Sequence, residues 1–274
     1  MKYCILQCGY PKSGNYLTYK IVSELLKKNN IFKSLSISSG RRDIIDKFYS
    51  EYKLFPEHSE LDMLQIVDGE YKLKFPHPEL RYHSVFLELL LKNSTLIWTH
   101  ELAEKIINRE FKDVTHRIYI LRDGRDVVNS LIHFSTTALQ RRRKSEYKID
   151  SAEVLYSKMN IFKKYVSDWA NHVNSYLKNK EKFKIVRFEK LINNKSKVVE
   201  ELADYLGLDI KKKDIEDIVY KTGFKEMAKK ASNHLRKGKK GDWDNYFTDE
   251  HKRVFKEIAG EELIALNYEE DYDW

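Results

Sequence analysis

The stretch of sequence that decides the fold lies near the start of the chain, where residues 3–17 read YCILQCGYPKSGNYL. Apolar side chains dominate residues 3–8 and predict a strand, whereas the spacing of apolar residues from Tyr16 onward predicts a helix. A strand that enters a helix through a short loop presents backbone N–H groups at the positive end of the helix dipole, and that geometry binds phosphate. Lys12 adds a positive charge, and an ordinary polar turn is the alternative interpretation. The loop differs from the common nucleoside-triphosphate loop, G-x-x-x-x-G-K-[ST], because here the lysine precedes the Ser-Gly pair.

The rest of the chain alternates between predicted strands and predicted helices. Further strands are predicted at residues 95–99, 117–121 and 184–188. Helical patterns lie between them: residues 16–26 follow the first strand, an apolar stripe recurs every four residues from Ile161 to Leu177, and Gly207 is a suitable C-cap for a third helix. The alternation predicts an α/β fold, a single domain over residues 1–274 with a P-loop-like parallel sheet flanked by helices on both faces.

Two segments, at about 36–82 and 135–151, do not fit this alternation and are expected to be irregular. The first mixes charged and aromatic residues with Pro76 and Pro78, and the second contains four consecutive basic residues at 141–144. Long irregular segments in a compact domain usually serve as lids or binding loops. We therefore expect these two segments to contribute acceptor-binding residues; a solvated helix face is the alternative interpretation of the basic run.

The composition excludes several classes of protein. Over 274 residues, 42% are hydrophobic, which is too many for a disordered chain. The net charge of +8, from 50 basic and 42 acidic residues, suits an anionic ligand and is too mixed for a nucleic-acid-binding coat. No apolar run approaches the roughly 20 residues of a membrane span, and a strand that starts at Tyr3 leaves no room for a signal peptide. We expect a cytoplasmic protein with no membrane insertion and no nucleic-acid partner, in which Cys4 and Cys8 are buried thiols.

A second informative stretch, residues 117–130, reads RIYILRDGRDVVNS. Arg122 follows the last residue of a predicted strand, at the edge where open parallel sheets bind ligands. Its guanidinium is a fork of donors that matches phosphate oxygens, and Ser130 in the following helix offers a hydroxyl to the same anion. The alternative is that the charged residues pair with one another, which we expect of Asp123 and Arg125 more than of Arg122.

A third stretch, residues 235–248, reads LRKGKKGDWDNYFT. Four cations flank a glycine, which allows a ligand to approach the backbone closely. Trp243 and Phe247 follow and predict that the loop is anchored in the core.

Taken together, the three stretches resemble the cytosolic-type sulfotransferases, which use the sulfuryl donor PAPS (3′-phosphoadenosine 5′-phosphosulfate) and release PAP. The residues Pro11-Lys12-Ser13-Gly14 are similar to the family's 5′-phosphosulfate loop, and residues 122–130 to its 3′-phosphate element. Residues 236–248 resemble its RKGxxGDWxxxFT signature, the most specific of the three. The resemblance extends from Met1 to about Thr248 and does not include the acidic segment 269–274.

This resemblance implies a set of site residues. It directs attention to His100, which follows Ile97-Trp98-Thr99 at a strand end and corresponds to the family's catalytic base. His100 would deprotonate an acceptor hydroxyl during in-line transfer, and Lys12 would stabilise charge on the departing 5′-phosphate. The implied nucleotide-binding residues are Lys12, Ser13, Gly14, Asn15, Tyr16, Arg122, Ser130, Thr222, Phe224, Arg236, Lys237 and Gly238. The implied partners are PAPS and a hydroxyl-bearing acceptor (a small alcohol or phenol, a lipid-like alcohol or a saccharide), with no metal required; the oligomeric state is not implied.

The sequence also departs from the family pattern. Trp98 stands where a lysine is often found two positions before the histidine. The remaining departures replace a Thr-Thr pair, a tryptophan and a tyrosine by Asn15-Tyr16, Leu17 and Phe188. These changes are typical of a divergent member, from a microbial or viral branch.

Two alternatives follow from the residues alone. A P-loop-related small-molecule kinase would need the G-x-x-x-x-G-K-[ST] order and an acidic magnesium ligand at a strand end, and the sequence contains neither. A non-catalytic module that binds a polyanion or nucleotide would use the same basic loops and would show a steep dependence on salt.

Overall fold

The computed structural model describes residues 3–38, 60–74, 82–137, 140, 149, 151–230 and 238–274. Their strands form one seven-stranded sheet in the order β4-β3-β2-β5-β1-β6-β7. The strands are β1 (Ile5–Cys8), β2 (Asp62–Val67), β3 (Glu70–Lys74), β4 (Tyr82–Ser84), β5 (Leu96–Thr99), β6 (His116–Leu121) and β7 (Lys184–Arg187). The strands β2, β5, β1, β6 and β7 are parallel, and β3 and β4 extend the β2 edge in antiparallel pairing.

Eleven α-helices lie in the described ranges, and they connect and flank the strands. They are α1 (Asn15–Lys28), α2 (Leu35–Ser38), α3 (Leu87–Asn93), α4 (Gly124–Ser135), α5 (Ala152–Ser157), α6 (Met159–Leu177), α7 (Phe188–Asn193), α8 (Lys195–Leu206), α9 (Lys212–Lys221), α10 (Phe224–Lys230) and α11 (Asp249–Ala265). Of the helices in these ranges, none is both long and apolar enough to cross a membrane.

The four strands predicted from sequence are confirmed, each within two residues of its predicted bounds. The expected α/β architecture is also confirmed, because apolar clusters cover both faces of the sheet. One cluster packs α1, α8 and α9 against the sheet, and the other packs α4, α6 and α11 against the opposite face. Both cysteines are buried and unbridged, as expected.

The interpretation of the first irregular segment is wrong for residues 62–74. They form the hairpin of β2 and β3, and β2 pairs in parallel with β5. The turn is Asp68-Gly69, with φ angles of 52° and 78°, which is the left-handed pair that a two-residue hairpin requires. Glu70, Lys72 and Lys74 alternate with Tyr71 and Leu73 in β3, and these charged residues are exposed or half-buried, which gives the segment the composition of a loop.

The predicted apolar stripe of α6 packs as expected, and its centre fixes the start of α4. Trp169 and Val173 are each 1% exposed. A Cβ built on Gly124, the first residue of α4, would lie only 2.6 Å from ring carbons of Trp169. Glycine at this position therefore brings the N-terminus of α4 directly against α6.

We predict that Gly124→Ala destabilises the fold, because the added methyl overlaps a ring in a packed core. The expected loss in free energy of unfolding is about 1–3 kcal/mol, measured by urea denaturation. Gly207→Ala is the control: nothing lies within 4 Å of its Cβ position, so only the strain of a φ of 63° remains. A Gly124→Ala protein as stable as the wild type would contradict this packing.

Candidate active site

The loop between β1 and α1, residues 9–14, turns sharply at the carboxyl edge of the sheet. Gly14 is the N-cap of α1 with a φ of 102°, and it forms no side-chain cap hydrogen bond. Lys12 also has a positive φ, of 70°. The side-chain amide of Asn15 donates to the carbonyl of Tyr10 at 2.8 Å and holds the loop against the helix. The N-terminus of α1 therefore has no side-chain acceptor at its cap, which suits an anionic group.

The aromatic ring of Phe188, the residue that follows β7, packs against this turn. A Cβ on Gly14 would lie 2.6 Å from the Phe188 ring, so only glycine fits here. The guanidinium of Arg122 lies 4.4 Å from the centroid of the same ring. Phe188, noted above for lacking a tyrosine hydroxyl, thus packs between the β1–α1 loop and Arg122.

Arg122 joins the first stretch to the third. It is 6% exposed, and its two terminal nitrogens donate to the carbonyls of Lys12 at 3.2 Å and Lys239 at 3.0 Å. The predicted pairing of Asp123 with Arg125 is also present, at 2.8 Å, whereas Arg122 lies 3.7 Å from Asp126. A planar guanidinium matches the oxygens of a phosphate, so its position between these two loops suits an anionic ligand.

Asp126 attaches residues 238–248 (the 238–248 loop) to α4. Its fully buried carboxylate accepts from the amide of Gly241 at 2.8 Å and from that of Trp243 at 3.2 Å. Burial raises the pKa of Asp126, while Arg122 and the amide of Gly241 oppose that rise. Ser130, four residues along α4, lies on the same helix face and is buried. The Ser130 hydroxyl, which the sequence predicts to contact an anion, therefore lies on the same face of α4 as Asp126, to which the 238–248 loop is bonded.

Phe224, which the resemblance assigns to the nucleotide, lies beside Gly238 at the start of the 238–248 loop. A Cβ on Gly238 would lie 3.0 Å from the Phe224 ring, which is 46% exposed. Thr222 is buried, and its hydroxyl donates to the carbonyl of Ile218 at 2.7 Å. Phe224 therefore offers an accessible aromatic face beside Gly238, whereas the hydroxyl proton of Thr222 is used within its own helix.

His100 follows β5 and is bonded to the first residue of the β1–α1 loop. Its Nδ1 lies 2.5 Å from the carbonyl oxygen of Gly9. Because a carbonyl only accepts, Nδ1 carries the proton, and Nε2 then holds the free electron pair of the neutral ring. The pKa of His100 is lowered to about 3, mainly by burial and also by the charges of Lys74 and His172, while the bond to Gly9 opposes the shift. The ring is thus a neutral imidazole beside the loop that carries Lys12.

The ammonium group of Lys12 packs against an aromatic ring. The ammonium of Lys12 lies 4.1 Å from the centroid of Phe134, at the last turn of α4.

Trp98, which replaces the family lysine, is 8% exposed and packs against Tyr19 with ring centroids 6.2 Å apart. Lys74 faces the same side of the sheet as Trp98, since β3 pairs with β2 and Met63 of β2 is level with Trp98.

The structure therefore brings together most of the residues singled out from sequence. Arg236 and Lys237 lie outside the described residues, as do 39–59, 75–81 and most of 138–150. Sequence reasoning missed Lys74 and Asp126. The Asp-Gly pair at 68–69 is the signal that would have placed Lys74 on a strand, whereas no local pattern marks Asp126 as the partner of the 238–248 loop. Within the described ranges, no group of three or more His, Cys, Asp or Glu side chains is arranged to hold a metal ion.

The β1–α1 loop, a neutral histidine and cations from distant segments meet at the carboxyl edge of a parallel sheet, which is typical of α/β enzymes that use phosphorylated nucleotides. The chain belongs to the sulfotransferase domain family, whose model matches residues 4–267. The resemblance found in the sequence is thereby confirmed.

Individual relatives agree with the family assignment. The chain is 27% identical to cytosolic sulfotransferase 1 of Danio rerio over 61% of its own length and 60% of the relative, so this match spans less than two thirds of that protein. It is 24% identical to sulfotransferase 1B1 of Mus musculus over 95% of its length and 82% of the relative. Among solved structures, mouse sulfotransferase SULT7A1 complexed with PAP has the same fold, with a TM-score of 0.65, 18% identity, and 98% of this chain and 86% of that chain covered. Retinol dehydratase in complex with androsterone and PAP has a TM-score of 0.59 at 15% identity, over 94% of this chain and 80% of that chain.

We predict that His100 remains a neutral, Nδ1-protonated imidazole from pH 8 down to pH 5, because its lowered pKa of about 3 lies below this interval. An unperturbed histidine, with a pKa near 6.5, would charge within the same interval. Two-bond ¹H–¹⁵N correlation spectra distinguish the two tautomers and the cation. A ring that becomes an imidazolium near pH 6.5 would contradict the lowered pKa, and a neutral ring protonated at Nε2 alone would contradict the hydrogen bond to Gly9.

Proposed function

We propose that this protein transfers a sulfuryl group from PAPS to a hydroxyl of an acceptor, by in-line displacement with His100 as the base. Membership of the sulfotransferase family supports the reaction type. The single observation that carries the assignment to this site is the placement of Arg122, which is bonded at once to the β1–α1 loop and to the 238–248 loop. Two loops that bind the two phosphate groups of one nucleotide must lie close together, and Arg122 holds these two loops close together.

The residues present fit the nucleotide by their chemistry. A helix N-terminus without a side-chain cap and the ammonium of Lys12 suit a phosphosulfate, and the buried guanidinium of Arg122 suits a second phosphate. We assign the 5′-phosphosulfate end to Lys12, Ser13, Gly14, Asn15 and Tyr16. We assign the 3′-phosphate to Arg122, Ser130, Arg236, Lys237 and Gly238, and the adenine to Phe224 and the backbone near Thr222.

The half-exposed Phe224 ring beside Gly238 explains how one ligand could touch both groups. Stacking on its free face leaves the 3′-phosphate next to a glycine that cannot block its approach. The same glycine has a φ of 61°, so its amide is presented in a conformation that a bulkier residue adopts only with strain.

The chemistry follows from the protonation states of the chain's own residues. PAPS supplies the activated sulfuryl group. His100 accepts the proton of the acceptor hydroxyl at Nε2, while Gly9 keeps Nδ1–H oriented and so fixes the ring. Lys12 donates to the bridging oxygen and stabilises the charge that develops on the leaving phosphate. The charge of Lys74 helps to keep His100 unprotonated and therefore able to act as a base.

The acceptor is a hydroxyl compound in this proposal. Retinol and androsterone, which appear in the structures of retinol dehydratase, are both alcohols, and they support an acceptor of this kind. A small alcohol or phenol, a lipid-like alcohol and a saccharide all carry the required group, and a screen of these three classes with labelled donor separates them. We also propose that the protein acts in the cytoplasm, without a nucleic-acid partner and without a metal.

The first test of this function measures nucleotide affinity. We predict that PAP binds about 100-fold more tightly than AMP, because charge-assisted bonds to the 3′-phosphate are strong in a buried site. Arg122→Lys should reduce this ratio by about tenfold, since lysine keeps the charge but lacks the planar fork. Calorimetry gives both constants, and Arg253→Lys, an exposed arginine of α11 paired with Glu257, is the matched control. Equal affinity of the wild type for PAP and AMP would contradict the 3′-phosphate site.

The second test separates chemistry from binding. We predict that His100→Ala lowers the transfer rate by about 10²–10⁴-fold and leaves the Kd for PAP within about twofold, because a base acts on the chemical step. His116→Ala is the control, since His116 lies at the amino end of β6, at the opposite edge of the sheet. A His100→Ala enzyme with most of its rate would require a different base.

A further inference from the structure

Residues 269–274, which we call the strap, carry no part of the family resemblance, yet they pack against the rest of the molecule. The Tyr272 ring lies against Gly260 of α11, where a Cβ would be 2.5 Å from a ring carbon. The Trp274 ring lies 6.4 Å from that of Phe255, also in α11. These contacts bring the strap to the N-terminus of α4.

There the strap completes a cage around Arg125. The guanidinium carbon of Arg125 lies 4.3 Å from the ring centroid of Trp243 and 4.4 Å from that of Trp274, and the two rings meet edge to face, at 84°. Asp123 accepts from Nε at 3.0 Å and from Nη2 at 2.8 Å, and Glu269 of the strap accepts from Nη1. The side chain of Arg125 is only 5% exposed, so its charge is held by two carboxylates and two aromatic faces.

Trp243 links this cage to the 238–248 loop. Its backbone amide and that of Gly241 both donate to Asp126, and the carbonyl of Lys239 accepts from Arg122. Gly238 and Gly241 have φ angles of 61° and 73°, a conformation that this loop must hold to present its amides. A glycine-containing loop loses conformational entropy when a ligand orders it, and a loop ordered in advance loses less.

We propose that the strap orders the 238–248 loop before the nucleotide binds, and that Glu269 and Trp274 are positioning residues for recognition of the 3′-phosphate. This inference rests on the proposed function, because it assumes that the loop receives the 3′-phosphate of PAP. The strap acts through Arg125 and Trp243 and touches no part of the nucleotide itself. Its contribution is therefore confined to ligands that engage this loop.

The test compares PAP with AMP, which lacks the 3′-phosphate. In the full chain, Trp274→Ala and Glu269→Gln should each weaken PAP binding by about tenfold and leave AMP binding within about twofold. Trp274→Phe should restore most of the PAP affinity, because a second aromatic face is regained. Glu270→Gln is the matched control: it removes the same charge from the next residue, which is exposed, and should not change either constant.

The outcomes separate the two proposals. A wild-type protein that binds PAP and AMP equally well would overturn the proposed function itself. A wild type that discriminates, with unchanged PAP-to-AMP ratios in both Trp274→Ala and Glu269→Gln, would overturn the role of the strap alone. Parallel losses for PAP and AMP, together with a lower Tm, would also overturn it, because they would show a purely structural role. If Trp274→Ala does not fold, Glu269→Gln against Glu270→Gln decides the question.

Discussion

The architecture of the site depends on one buried charge, the guanidinium of Arg122. A charged group that is removed from water must be matched by acceptors, and Arg122 finds them in carbonyls 110 residues before it and 117 residues after it in the chain. The Phe188 ring covers its flat face, and Asp126 lies at 3.7 Å. Meeting the requirements of this one side chain therefore brings two loops that are far apart in sequence to the same edge of the sheet.

Asp126 and Arg125 extend this arrangement along the N-terminal turn of α4. The two residues are adjacent, but they hold the 238–248 loop in different ways: Asp126 through backbone amides and Arg125 through the ring of Trp243. Gly124 makes their position possible, because the absence of a side chain lets α4 begin against Trp169. The first turn of α4 thus packs against α6 and also anchors the 238–248 loop.

The surroundings of His100 determine its protonation state. Burial is the main cause that disfavours a protonated ring, and the positive charge of Lys74 adds to it, so His100 is kept neutral. The carbonyl of Gly9 accepts a hydrogen bond from the proton on Nδ1, so Nε2 is the ring nitrogen without a proton. A positive environment that suits an anion and an unprotonated His100 ring are in this way consistent with one another.

The sequence by itself determined four of the five parallel strands, the loop that follows β1, the placement of Arg122 at a strand end and the family, because these depend on local periodicity and on motifs of a few residues. The β2–β3 hairpin was missed although Asp68-Gly69 marks its turn, because it lies in a segment that mixes charged and aromatic residues with Pro76 and Pro78. Only the tertiary structure decided that Asp126 bonds to Gly241 and that the ring of Trp274 packs on the guanidinium of Arg125. It also decided that Trp98 is buried in the core and that Lys74 faces the same side of the sheet. Each of these pairings joins residues that are distant along the chain, and the free energy that selects them comes from burial and charge matching, which exist only once the chain is folded.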